Sequence, residues 1–313
     1  MIGQEQFRYD EITAALLAKG VSPKEFTAVV GRGGLMKPIK SGVYRVNAAM
    51  LEDLRSMKYG AHASNLGAPL TARFAAEGGV PAFIADPIVV DELADEARFS
   101  GLPEMPRVSI FHALNQKAVA RRAASELGKN MPDCNLIVAH MGGGISVGAH
   151  EHGRVIDVNN SLDGEGPMSP ERSGSLPVGE LVAMCFSGKY TIDEVQKMIN
   201  GQGGLVAHLG TNDIREVEKR IADGDAVATL VFEAMALQVA KEIGRCAAVL
   251  KGKVDAVVLT GGLAYSDKLC GRIASMVSFI APVLCYPGED EMEALAHGAL
   301  RVLRGEEAAQ EYE

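Results

Sequence analysis

The chain has 313 residues, of which 47% are hydrophobic and 23% charged, an ordinary composition for a globular protein long enough for two domains. Its formal net charge of −9, without a long basic run, argues against nucleic acid and anionic membrane surfaces as partners. No apolar segment approaches the span of a bilayer, the first residues are not typical of a signal peptide, and the five cysteines are widely spaced without a CxxC pair. We therefore expect a cytoplasmic protein with reduced, mostly buried thiols rather than a disulfide or zinc framework.

Helical and strand patterns alternate along the chain. Helices are predicted over residues 5–19, 48–57, 109–128, 178–186, 191–200, 212–223, 225–250 and 291–303. Strands are predicted over residues 28–30, 81–85, 136–139, 145–149, 254–260 and 279–285. This alternation predicts an α/β fold, with ligands expected at the carboxyl ends of strands.

Two helices carry apolar faces that predict burial. The first has a stripe of Phe7, Ile12, Leu16 and Leu17. The long helix over 225–250 has a broader face, which suggests packing against a sheet. Its apolar residues are Val227, Leu230, Val231, Ala234, Met235 and Val239.

Three glycine clusters follow predicted strands, one after Val30, one after Ala139 and one after Thr260. Glycine permits positive φ, so such turns bring backbone amides close to a ligand. A concave row of amides suits phosphate oxygens. Three clusters at strand ends therefore predict a nucleotide or phosphate cleft.

The chain is organised around the stretch NLIVAHMGGGISVGAHEHGRVIDVNNSLDGEGPMSPERSG, which begins at Asn135. His140 and the triple glycine lie between two strands, and a long polar loop ends at Arg172. An arginine flanked by proline and glycine is suited to act as a fixed guanidinium fork for phosphate or carboxylate. The alternative is a glycine-rich hairpin followed by an ordinary surface loop.

Other polar residues have structural as well as functional interpretations. His150 and His152 flank a predicted hairpin tip, where side chains two apart meet water, so no metal site is expected there. His208 is interpreted as a capping or packed residue, and His62 is left open because it lies near Asn65. Asp86 precedes a proline at a strand end, where it either caps a turn or faces a ligand.

Several stretches together resemble the butyrate kinase family, which belongs with acetate kinase in the actin-like ATPase superfamily. Besides the central stretch they are VVGRGGLMKP, HASNLG, SIFHALNQKAVARR, VDAVVLTGGLAYS and YPGEDEMEALA. The resemblance implies a two-domain actin-like ATPase fold of the acetate kinase-like, ribonuclease H-like α/β type, with mixed sheets and an interdomain cleft. It implies an acyl-substrate-side domain of residues 1–95 plus 292–313 and a nucleotide-binding domain of residues 96–291.

The resemblance also implies a function. The γ-phosphoryl group of ATP passes to the carboxylate of a short-chain fatty acid, butyrate or branched-chain, with Mg²⁺ as cofactor and a homo-oligomer, dimer or larger, as the assembly. The catalytic residues implied are Arg32, Asp86, His112, His140 and Arg172. The ATP-binding residues implied are Gly142, Gly143, Gly144, Gly261 and Gly262. Glu291 is the implied metal ligand.

One feature of the family has no match in this chain. The family opens with a strand, a glycine- and serine-rich turn carrying asparagine and lysine, and a second strand, whereas MIGQEQF matches the region after that hairpin. A start site assigned too late, a fragmentary gene, or a non-catalytic nucleotide-binding protein would each explain it; a sugar kinase of the same superfamily is a further alternative. We expect the chain as written to be a poor catalyst and a poor folder, with strands near Val29 and Phe83 exposing backbone and apolar groups.

Overall fold

The computed structural model of the chain describes residues 2–313. They form two compact units. Unit 1 runs from the start of the described chain to Asp91 and continues with Asp290–Glu313, and unit 2 is Glu92–Glu289. The predicted domain boundaries, after residues 95 and 291, remain predictions. Within the described residues, no helix is long and apolar enough to cross a membrane.

Strands and helices alternate through residues 2–313. The strands are β1 Val29–Gly31, β2 Val43–Arg45, β3 Ala82–Ala85, β4 Asn135–Met141, β5 Ile145–Glu151, β6 Arg154–Val158, β7 Ala256–Gly261 and β8 Val283–Pro287. The α-helices are α1 Glu5–Ala18, α2 Ala48–Ser56, α3 Gly67–Gly78, α4 Ala113–Glu126, α5 Val178–Cys185, α6 Ile192–Ile199, α7 Gly204–Leu209, α8 Ile214–Ala222, α9 Ala226–Val249, α10 Asp267–Val277 and α11 Glu291–Leu303.

Unit 1 holds a three-stranded sheet of order β1-β3-β2, in which β3 is parallel to β1 and antiparallel to β2. Because β3 is the central strand, Phe83 is only 1% exposed. The expectation of an exposed strand near Phe83 is therefore wrong, while Val29 lies half-buried on the edge strand β1.

Helix α1 is present as predicted, but its apolar stripe is not its buried face. Phe7 is 62% and Leu17 72% exposed, and no residue of α1 is buried. The helix contacts α3 instead through Tyr9, whose ring stacks on Phe74 with centroids 4.8 Å apart. The spacing of apolar residues predicted the helix correctly, but which side of α1 packs depends on the position of α3.

Unit 2 holds a five-stranded mixed sheet of order β6-β5-β4-β7-β8. Strands β4, β7 and β8 are parallel, and β5 and β6 extend the sheet antiparallel. Side chains of β4 alternate between two cores: Ile137 joins the cluster with α9, and Val138 joins the cluster with α4. The sheet is therefore covered on both faces, and its parallel strands end side by side at one edge.

The long helix α9 buries a narrower face than its sequence predicts. Val231, Met235 and Val239 are buried, but Val227 is 59% and Leu230 71% exposed. Only one side of α9 packs on β4 and β5, so apolar residues on the other flank stay outside the core. The last strand also begins later than predicted, at Val283, and Phe279 is 84% exposed in the preceding turn.

Candidate active site

A cavity of about 630 Å³ lies where the parallel strands of unit 2 end. His140 of β4 is paired with Thr260 of β7, and Gly261 is paired with Pro287 of β8, so the residues that follow these strands converge. The cavity is lined by Gly142, Gly143, Pro170, Glu171, Asn212, Asp213, Ile214, Arg215, Glu218, Gly262, Leu263, Tyr265, Ser266 and Glu289. Ligand sites of α/β sheets occur at this edge.

The triple glycine after β4 has ordinary backbone conformations, and its last member allows close packing. The predicted positive φ is wrong for Gly142, Gly143 and Gly144, since none of the three adopts it. A Cβ on Gly144 would instead lie 1.9 Å from Nη1 of Arg172. Gly143 is the exposed member of the triple and lines the cavity.

Gly261, at the end of β7, does require glycine for its conformation. Its φ is +92°, and a Cβ there would lie 2.4 Å from the carbonyl oxygen of Met141. Gly262 has open space around it and lines the cavity. In the second glycine turn, Gly261 therefore occupies a position that only glycine fits, and Gly262 is accessible from the cavity.

His112 and His140 form a stacked pair behind the cavity wall. Their ring centroids are 3.8 Å apart and the planes differ by 13°. His140 is 1% exposed, and its Nε2 lies 3.6 Å from Oε1 of Glu289, which lines the cavity. The structure thus brings together both histidines named from the sequence.

Arg172 packs its guanidinium against Gly144. Its Nη1 donates to the Ser161 carbonyl, and its Nε donates to Oδ1 of Asn200 at 3.2 Å. Burial lowers the pKa of the Arg172 guanidinium, while Glu171 and Asp163 act in the opposite direction. The side chain is therefore held in one orientation beside the glycine turn, as a guanidinium fork requires.

The remaining residues named from the sequence lie in unit 1. Nη1 of Arg32, just after β1, forms an ion pair with Oε2 of Glu291 at 3.1 Å. Asp86 is 3% exposed, and its Oδ1 accepts hydrogen bonds from Oγ of Ser41 at 2.6 Å and from the Gly42 amide at 2.8 Å. These contacts match the turn-capping interpretation of Asp86.

The carboxylates of the chain are suited to a metal ion only together with substrate phosphates. Within residues 2–313, no group of three His, Cys, Asp or Glu side chains is placed to hold a metal ion. Mg²⁺ in phosphotransfer sites uses one or two carboxylates together with substrate phosphates, so single carboxylates such as Glu291 and the cavity-lining Glu289 fit that mode.

Sequence reasoning missed the residues at the start of α8. Asp213 caps this helix, and its carboxylate holds the Arg215 guanidinium through contacts of 2.6 to 3.1 Å. Hydrogen bonds from Arg215 lower the pKa of Asp213 to about 2. The signal that could have found them is the Asn-Asp pair before an amphipathic helix, which is typical of an N-cap.

The expectation that His150 meets water is wrong. His150 is 1% exposed, and its Nε2 lies 3.0 Å from Oε1 of Gln116. An irregularity in the β5–β6 pairing, between Ala149 and His150, accompanies this inward position. His62 caps the short helix Ala63–Leu66 by accepting from the Ser64 amide, which favours its structural interpretation.

Comparison with known proteins gives concordant matches. The model of the acetokinase family matches residues 107–277. Butyrate kinase 1 of Clostridium acetobutylicum is 59% identical over 309 residues, covering 99% of this chain and 87% of that protein. Butyrate kinase 2 of the same organism is 58% identical with the same coverage.

Solved structures match the fold. Acetate kinase from Porphyromonas gingivalis has a TM-score of 0.75 at 22% identity, covering 90% of this chain and 79% of that one. A propionate kinase from Francisella tularensis has a TM-score of 0.75 at 21% identity, covering 92% and 82%. These likenesses confirm the predicted fold class.

Proposed function

Because the chain belongs to the acetokinase family, we propose that it is a butyrate kinase-like phosphotransferase. It transfers the γ-phosphoryl group of ATP to the carboxylate of a short-chain fatty acid, butyrate or a branched-chain acid, and forms ADP and an acyl phosphate. The observation that carries the proposal is the cavity at the carboxyl ends of β4 and β7, lined by both glycine turns and backed by the histidine pair.

ATP occupies this cavity with its phosphates toward the glycine turns. Gly143 and Gly262 both line it, so a phosphate meets backbone there without intervening side chains. The guanidinium of Arg215, held by Asp213 at the start of α8, offers a planar cation on which a purine can stack. The polar side chains of Glu218 and Ser266 lie on the same wall and suit the ribose hydroxyls.

Catalysis rests on positioning and on neutralisation of charge. A carboxylate is already a nucleophile, so no strong base is needed. It is repelled by a triphosphate, however, and the site must supply cations and hydrogen-bond donors. Arg172 supplies a cation and His112 an N–H donor from unit 2, and His140 stacks on His112. Within unit 1, Arg32 is the group that would bind a substrate anion in exchange for Glu291.

Mg²⁺ accompanies ATP in this proposal. When bound, the ion would neutralise the charge of the β- and γ-phosphates. Glu291 is the carboxylate of this chain that would hold it, directly or through water. Asp86, which caps the turn at Ser41 and Gly42, keeps the loop between β1 and β2 in place beside the Arg32 strand end.

The proposed assembly is a homo-oligomer. Helix α5 has no buried residue; Val178 is 71% and Val182 50% exposed, and Phe186, directly after the helix, is 87% exposed. Such a contiguous apolar face is characteristic of protein contacts rather than of a solvated helix. Light scattering on the purified chain measures the assembly size directly.

Hydroxamate detection of acyl phosphate tests the function. The chain should form acyl phosphate from butyrate and ATP at a low but measurable rate, and His140→Ala should lower kcat while the protein stays folded. His297→Ala, on the exposed side of α11, is the matched control and should retain activity. No acyl phosphate from the unmodified chain would overturn the proposal. A His140→Ala protein of normal specific activity but lower melting temperature would make His140 a core residue.

A further inference from the structure

Two adjacent carboxamides lie buried in the first turn of α4. Asn115 is 3% exposed and Gln116 is 0% exposed. Each carboxamide is anchored by a backbone carbonyl: Asn115 Nδ2 donates to the Glu289 carbonyl at 3.0 Å, and Gln116 Nε2 donates to the Ser146 carbonyl at 3.0 Å. Because a carbonyl only accepts, the nitrogen and oxygen of both side chains are assigned, and both oxygens point the other way.

The oxygen of Asn115 determines the protonation of His140. Oδ1 of Asn115 lies 2.7 Å from Nδ1 of His140. An amide oxygen only accepts, so Nδ1 of His140 carries the proton. In the neutral ring Nε2 then keeps its lone pair. This atom is 3.2 Å from the position that a Cβ of Gly142 would take, next to the cavity.

The nitrogen of Gln116 determines the protonation of His112 through Ser146. Oγ of Ser146 accepts from Gln116 Nε2 at 2.9 Å and from the His112 amide at 3.4 Å. Its third contact is Nδ1 of His112 at 2.8 Å. With two donors already directed at Oγ, the single hydroxyl proton goes to Nδ1. Neutral His112 is therefore protonated on Nε2, the reverse of His140.

A third histidine enforces the orientation of Gln116 from the far side. Nε2 of His150 lies 3.0 Å from Oε1 of Gln116, so it must donate. Burial, together with Lys117 and Arg121, lowers the pKa of His150 well below its ordinary value, which keeps this ring neutral. One directed chain of hydrogen bonds thus runs from His150 through Gln116 and Ser146 to His112.

We propose that Asn115 and Gln116 are positioning residues that hold the stacked imidazoles in opposite tautomers, His140 protonated on Nδ1 and His112 on Nε2. The chemical meaning of this arrangement rests on the proposed phosphoryl transfer: neutral His112 offers an N–H donor at Nε2, and neutral His140 offers an acceptor nitrogen at Nε2.

The tautomers are measurable without substrate by long-range proton–nitrogen NMR on the full chain labelled with ¹⁵N-histidine. Single histidine-to-glutamine variants assign the signals. The expected spectrum has His140 protonated on Nδ1, and His112 and His150 protonated on Nε2. A wild-type His140 protonated on Nε2 at neutral pH would overturn the proposal.

Variants of Asn115 connect the tautomer with turnover. Asn115→Leu should shift His140 toward the Nε2-protonated form and lower kcat by about 10²-fold, with the KM for ATP nearly unchanged. Asn115→Asp keeps an acceptor at Nδ1 and should retain the wild-type tautomer and much of the activity. Asn130→Leu, on the exposed turn after α4, is the control and should alter neither. Unchanged tautomer and kcat in Asn115→Leu would refute the positioning role.

Ser146→Ala tests the hydrogen bonds that run from Gln116 through Ser146 to His112. This substitution removes one hydroxyl only, so it also serves if Asn115→Leu fails to fold. It should release His112 into a mixture of tautomers and leave His140 unchanged; an unaltered His112 signal would contradict the assignment. If the tautomers are as assigned but no acyl phosphate forms, the positioning inference stands and the proposed function falls. If acyl phosphate forms but the two histidines do not have opposite tautomers, the proposed function stands and the positioning inference falls.

Discussion

The strand ends of the two units handle polar groups differently. In unit 1, Arg32 is neutralised by Glu291, and the Asp86 carboxylate caps a turn. In unit 2, His140 is held from behind by a buried amide, while Gly143 and Glu289 line a cavity. In unit 1 the charged groups are therefore satisfied by local contacts, whereas in unit 2 polar groups line a cavity that suits a ligand. The comparison favours unit 2 as the location of the proposed nucleotide site.

The largest effect is expected when Arg172, the cation of unit 2 beside the glycine turn, is removed. Arg172→Ala should lower kcat by about 10³-fold, because the guanidinium that neutralises the transferring group is lost. The KM for ATP should change much less. Arg172→Lys should recover little, since an ammonium cannot replace the fork against Gly144. Arg245→Ala, an exposed arginine of α9, is the control. Near-normal turnover of either Arg172 variant would remove this residue from the mechanism.

The glycine turn after β7 offers a matched pair of substitutions. Gly261→Ala places a Cβ against the Met141 carbonyl and forces a positive φ on alanine, so the free energy of unfolding should fall by about 2 kcal/mol or more. Gly262→Ala meets open space and should cost less than about 1 kcal/mol. Urea unfolding measures both. Equal stability of the two variants would show that the backbone at Gly261 is not constrained as described.

Acidification distinguishes the buried polar network of unit 2 from the surface of unit 1. The pKa of His150 is depressed in the folded state, so below about pH 6.5 the unfolded chain takes up a proton that the folded chain does not. His150 should therefore make stability fall with decreasing pH, by up to about 1.4 kcal/mol per pH unit. His150→Gln should flatten this slope, whereas His297→Gln, in unit 1, should leave it unchanged. Identical slopes in all three proteins would contradict the buried position of His150.

The smallest effect is expected at the ion pair of unit 1. The side chains of Arg32 and Glu291 are 42% and 27% exposed, so Glu291→Gln should change the free energy of unfolding by less than about 1 kcal/mol. Glu293→Gln, on the same helix and more exposed, is the control. A loss of several kcal/mol at Glu291 alone would make the pair structural rather than available to a substrate.

The strand ends could be predicted from the sequence because their signals are local. Apolar runs such as 136–139, each followed by glycine, mark both the strand and the place where a ligand can approach. His140 and Arg172 were identified for the same reason, since each lies beside glycine. The ion pair of Arg32 with Glu291 joins residues far apart in the chain, and no local pattern reports it.

Burial and orientation could not be predicted in the same way. Asn115 and Gln116 look like ordinary polar residues near the start of a helix, and their role depends on carbonyls contributed by β5 and the segment after β8. The stripe with Phe7 predicted a helix but not its packing side. The triple glycine was assigned a positive φ, whereas Gly144 has an ordinary φ and leaves room for the Arg172 guanidinium.

The central claim is that ATP binds at the glycine turn after β4. Gly143 is exposed and has an ordinary φ, so a side chain there fits the fold while filling the cavity. Calorimetric titration of ATP should show binding to the wild-type chain and to Gly101→Leu, which meets open space in a loop of unit 2, and no binding to Gly143→Leu. Wild-type affinity for ATP in a folded Gly143→Leu protein would contradict the account.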